Sequence, residues 1–156
     1  MANVDVVEFE FAGERYALDI ALAREIVEMV PITPVPRAPS HIAGIINLRG
    51  EITTVLNLST ILGIPEGERR EHQKIIILVP EAAGGSNVGI IVDDVLAVMQ
   101  VSEDEVEKMD ESLARDAYVK GIIKVTDRTA ENEDVKNLII WVDMAKVLEQ
   151  INGHGA

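Results

Sequence analysis

The sequence predicts a mainly β, barrel-like protein with few helices. Many short apolar runs, several alternating with polar residues, are separated by glycine, proline and asparagine turn signals. Helix-compatible stretches are short, and segments of the first half recur in the second, which points to two similar halves.

Residues 7–11, VEFEF, set Val7, Phe9 and Phe11 on one face and Glu8 and Glu10 on the other, the pattern of a half-buried strand. Gly13, Glu14 and Arg15 turn the chain into a second strand over 16–20. Residues 22–30 suit helix or strand. The segment PITPVPRAP then follows, and its four prolines impose an extended connection that favours strand. Further strands are expected over 45–49, 52–57, 74–79, 88–92, 95–101, 121–126 and 138–142. Between the first two of these, Gly50 suits a tight hairpin turn that requires positive φ, which puts Arg49 at the tip or shoulder. Gly84-Gly85-Ser86-Asn87 reads as the turn between 74–79 and 88–92.

Helical expectations are modest. Residues 59–62 make about one turn, closed by Gly63. Ser102 and Glu105 have capping-box spacing and predict a helical turn over 103–109. Asp143 caps a final helix over 144–151, with Val147, Leu148 and Ile151 as its apolar stripe, and residues 152–156 form a flexible tail.

The repeat is faint but has structure. HIAGII, starting at 41, matches YVKGII, starting at 118, and VLNLSTIL, starting at 55, resembles WVDMAKVL, starting at 141. In both copies a β-run ends at a capping residue, Asn57 or Asp143, and enters a short amphipathic helix. The second copy is longer, and its extra residues lie within the polar stretch TDRTAENEDVKN. We expect one domain over 6–150, with a first lobe over about 16–80 and a second over about 81–150, and terminal elements open to exchange between them.

Composition narrows the function. With 156 residues and 47% hydrophobic side chains the chain can build a sizeable core. The absence of cysteine excludes disulfides and thiol catalysis and suits a reducing cytoplasm. No apolar run approaches a spanning helix and no secretory signal is visible, so an intracellular protein without direct membrane insertion is expected. Fourteen basic against twenty-seven acidic side chains give −13, a field that opposes nucleic acid and anionic lipid. The close basic pair Arg69-Arg70 is surrounded by Glu66, Glu68 and Glu71. A β-barrel nucleic-acid binder would also need aromatic platforms, and the chain has five aromatic residues.

Catalytic and metal constellations are likewise missing from the sequence. His41, His72 and His154 have no metal-ligand spacing to one another, and adjacent Asp93 and Asp94 would point to opposite faces of a strand. We therefore expect no enzyme and no cofactor. What the chain offers is surface for protein contact. Arg49 carries a planar fork of donors suited to a carboxylate. On residue type alone, a surface arginine paired with a neighbour such as Glu51 is the commoner outcome. Ile26, Val27, Met29 and Val30 line a groove between the halves or fill core.

From about residue 6 to 148 the chain resembles the CheW family. The resemblance rests on YALDI, ITPVPRAP, GIINLRGEITTVLNL, VGIIVDDV, YVKGI and IIWVDMAKVL. It implies two small five-stranded, SH3-like β-barrels packed on a shared hydrophobic core, with short helices and a C-terminal helix. It also implies a non-catalytic cytoplasmic adaptor that couples the tips of chemoreceptors to the regulatory domain of a CheA-type histidine kinase. An output other than flagellar chemotaxis, such as pilus-driven motility, fits the same resemblance. The arginine of the family's receptor-facing motif falls on Arg49 within Asn47, Leu48, Arg49 and Gly50, and its associated glutamate falls on Glu25. Ile26, Val27, Ile52, Val88 and Val98 are further expected contacts with the receptor or the kinase. The family often carries proline and then aspartate where this chain has Thr54 and Asn57. Thr54 restores a backbone donor and Asn57 keeps a capping oxygen without charge.

Overall fold

A computed structural model describes residues 3–64, 73–108, 110, 112, 118–126 and 136–154. The chain forms β1 (Asn3–Phe11), β2 (Glu14–Asp19), β3 (Ala23–Glu28), β4 (Ile42–Leu48), β5 (Glu51–Leu56), α1 (Leu58–Leu62), β6 (Lys74–Leu78), β7 (Val88–Val92), β8 (Asp94–Ser102), β9 (Val106–Glu107), β10 (Val119–Thr126), β11 (Lys136–Val142) and α2 (Met144–His154). Strands appear where alternation or β-branched runs predict them, including the ambiguous stretch that became β3.

The strands build two mixed sheets. One has six strands in the order β8-β1-β2-β11-β10-β9, and the other has five in the order β3-β6-β7-β5-β4. The pairs β2–β11 and β5–β7 are parallel, and the remaining pairs are antiparallel. This corrects the expectation of two five-stranded barrels, because neither sheet closes. Beyond β3 runs the proline-rich connector, which lacks N–H donors at Pro31, Pro34 and Pro36. It meets β4 at the isolated Thr33–Ile45 bridge, where each N–H donates to the other's carbonyl at 2.9 Å. In the six-stranded sheet the last strand, β9, is two residues long.

Between the sheets lies the largest core. Phe9, Tyr16 and Leu18 from the six-stranded sheet pack with Leu56, Ile76 and Ile90 from the five-stranded one, and with Met144, Val147 and Leu148 of α2. Phe9 and Tyr16 stack with ring centroids 5.8 Å apart. A smaller cluster lies on the opposite face of each sheet, around Val6, Val101 and Ile123 in one and Ile46, Val55 and Ile75 in the other.

The repeated sequences fold alike. β4–β5–α1 and β10–β11–α2 each begin with an irregular register step, at Ile42/Gly44 and at Val119/Gly121. In each, the helix-capping residue donates its N–H to the residue that opens the copy, Asn57 to His41 at 2.8 Å and Asp143 to Tyr118 at 2.7 Å. The two glycines admit a neighbouring backbone. A Cβ on Gly44 would lie 2.5 Å from the Thr33 carbonyl oxygen, and one on Gly121 would collide with Val106 of β9. Thr33 in the connector and β9 thus occupy matching places beside the two copies.

Several boundaries differ from expectation. Ser102 Oγ accepts from Asp104 N–H at 3.3 Å, but the segment closes as a 3-10 turn, Glu103–Glu105, and then pairs with β10 as β9 rather than continuing as a helix. Met109 lies outside the described residues, as do Arg69-Arg70 with its glutamates, residues 127–135 of the polar insertion, and residues 155–156. The final helix continues past 151 to His154. Asn57 caps α1 by accepting from Ser59 N–H at 3.2 Å and Ser59 Oγ at 2.7 Å, and Gly63 closes it in the left-handed region at φ 68°.

Candidate functional site

The β4–β5 hairpin pairs Leu48 with Glu51, leaving Arg49 and Gly50 as a two-residue loop. Their φ values, 51° and 88°, are both positive, as a type I′ turn requires. Glycine accepts this conformation freely, whereas the left-handed region costs an arginine roughly 1 kcal/mol or more. Asn47 Oδ1 compensates locally by accepting the Gly50 N–H at 2.9 Å.

From this turn the Arg49 guanidinium reaches Glu25 on β3, where Nη2 donates to Oε1 in a salt bridge. β3 and β4 are opposite edges of the five-stranded sheet, so the pair spans its open side. Arg49 remains 63% exposed and Glu25 28%. The arginine's hydrogen bond, reinforced by its charge and that of Arg24, holds the Glu25 carboxyl below its ordinary range. Glu25 in turn raises the guanidinium's pKa through the same bond and its charge. The neighbour Glu51, favoured on residue type, is not the salt-bridge partner.

Around this pair the structure gathers part of the expected surface. Ile52, cross-strand from Asn47, is 61% exposed, and Leu48 and Val27 pack partly buried on the sheet's inner cluster. Ile26 is 41% exposed, its alternation along β3 turning it away from the side that carries Glu25 and Val27. Val98 lies on β8, an edge of the other sheet, at 57% exposure. Val88 is only 8% exposed and belongs to the inter-sheet core, because β7 is flanked by β5 and β6. Its side chain is therefore not a surface contact.

A cleft of about 690 Å³ opens between the connector and the start of β4, at the far end of that strand from the Arg49 turn. Met29, Val30, Ile32 and Pro34 of the connector face Ile42, Ala43 and Ile91, with Phe11 of the other sheet and the polar Asn57, Gln73 and Asp93 completing the walls. Of the expected groove residues, Met29 and Val30 line it, whereas Ile26 and Val27 do not. Asp93, 6% exposed, ties the sheets together: Oδ2 accepts the Ala12 N–H at 2.8 Å, and its own N–H donates to the Glu10 carbonyl at 2.9 Å. An aspartate at the end of an apolar run was the available sequence signal, but its partners come from the end of β1 and the turn that follows it. Thr54, at the family's frequent proline position, uses its N–H to reach the Asn87 carbonyl at 3.0 Å.

Among the described residues no three His, Asp or Glu side chains converge to hold a metal. Two open sheets on a common core, with an exposed, ion-paired arginine at a hairpin turn, define a protein-contact module. Residues 5–152 match the CheW-like domain family. The chain is 32% identical to the chemotaxis protein CheW of Thermotoga maritima over 151 residues, covering 97% of this chain and 91% of that one. It is 34% identical to the Bacillus subtilis chemotaxis protein CheW over 125 residues, covering 79% and 78% of the two chains. The crystal structure of the scaffolding protein TtCheW from Thermoanaerobacter tengcongensis superposes with a TM-score of 0.70 at 32% identity, covering 91% of this chain and 85% of that one. The chain belongs to the CheW family, the non-catalytic adaptors that couple chemoreceptors to CheA-type histidine kinases.

Proposed function

We propose that this adaptor engages the cytoplasmic tip of a chemoreceptor through the Arg49 hairpin, and the regulatory domain of the kinase through a second surface that includes Val98. The observation that carries the reading is Arg49 itself, largely exposed yet held in a left-handed turn and oriented by Glu25. Backbone strain retained at an exposed charged residue fits a contact site better than a solubilising one. Arginine of fixed geometry is favoured at interface hot spots, and Ile52 beside it adds exposed apolar area. Val98, on an edge strand of the other sheet, leaves room for a second partner at the same time.

The expected place of action is the cytoplasm, beside membrane receptors through protein contacts. Among the described residues no helix is long and apolar enough to cross a membrane. The lobes, over about 16–80 and 81–150, belong to this proposal, with β1 and β2 joining the later strands in the six-stranded sheet and β7 joining the earlier strands in the five-stranded one. Capture on immobilised receptor signalling tips, and separately on the kinase's regulatory domain, tests the reading. Retention by both supports it, and retention by neither overturns it.

A further inference from the structure

We infer that Asn47 is a positioning residue, which shapes the turn that presents Arg49 and makes no receptor contact of its own. The inference rests on the receptor-binding reading of Arg49 given above. Three observations converge on it. Asn47 Oδ1 accepts the Gly50 N–H at 2.9 Å, closing the loop from the side chain. The bond spans the one non-glycine residue of the turn, Arg49, whose φ of 51° lies in a region that arginine avoids unless its neighbours hold it there. Arg49 must then reach Glu25 on the far edge of the sheet, 24 positions earlier in the chain, so a small change of turn geometry moves the guanidinium away from its partner.

The turn without this bond has a cheaper alternative. An unclasped arginine relaxes toward negative φ, which splays the strands and redirects the side chain. The hydrogen bond is one exposed neutral contact, so its loss reduces the population of the competent geometry by roughly three- to tenfold. Asparagine suits the position because its short side chain bends back to a backbone N–H close ahead in sequence. Aspartate offers the same acceptor atom, whereas alanine offers none.

The test is a receptor-tip binding titration, with melting curves, for Asn47→Ala and Asn47→Asp, in the parent and in an Arg49→Ala background. The expected result is a three- to tenfold weaker affinity for Asn47→Ala, rescue by Asn47→Asp, and no further loss when Asn47→Ala is added to Arg49→Ala. Amide exchange at Gly50, followed by NMR, should accelerate in Asn47→Ala and not in Asn47→Asp. A loss from Asn47→Ala that persists undiminished in the Arg49→Ala background would make Asn47 a direct contact and overturn the inference. Unchanged binding in Asn47→Ala, with binding lost in Arg49→Ala, would overturn the inference alone. Unchanged binding in Arg49→Ala would overturn the receptor-binding reading and this inference with it.

Discussion

Arg49 and Glu25 form a pair whose strength depends on protonation. Glu25 is depressed by the arginine, so its contribution is present above the ordinary carboxylate pKa and lost as pH falls through the lower, folded-state value. A carbon-detected NMR titration of the Glu25 carboxylate should give a midpoint below the ordinary value near 4.3, shifting upward in Arg49→Ala. An identical midpoint in both proteins would show that the contact is absent in solution. The residue types alone did not identify this pair, because periodicity carries no information about a contact between two edge strands separated by a long connector. The CheW resemblance supplied Glu25, whereas local reasoning favoured Glu51.

At the scale of elements, alternation made β1 legible and β-branched runs made β6 and β7 legible, because side-chain period and burial coincide there. Caps at Asn57 and Asp143 and the stop at Gly63 were legible because their chemistry is local. β9 was not, since its two residues are ordered by pairing with β10, a tertiary effect. The openness of the sheets was equally hidden, because the order in which strands pair is a tertiary property that local sequence patterns do not carry. Of the cleft only Met29 and Val30 were legible, because its walls come from both sheets and the connector. The C-terminal helix docks through its stripe, with Val147 1% and Leu148 2% exposed. Leu148→Ala should therefore destabilise the protein by about 2–5 kcal/mol in chemical denaturation. A change below roughly 1 kcal/mol would mean that the helix is peripheral to the inter-sheet core.

As a whole molecule the chain separates its buried core from its exposed apolar and charged side chains. Its largest cluster joins both sheets and α2, while the Arg49 hairpin and Val98 lie exposed on different sheets. A rigid body of this kind can hold two partners without any chemistry of its own. The net charge of −13 disfavours nucleic acid as one of them. If Arg49 serves binding and not folding, a receptor-tip titration of Arg49→Ala beside its melting curve separates the two roles. Arg49→Ala should change stability by only about 0.5 kcal/mol while weakening binding by about 2 kcal/mol, roughly thirtyfold in affinity. Parental affinity, or a melting temperature far below that of the parent, would contradict it.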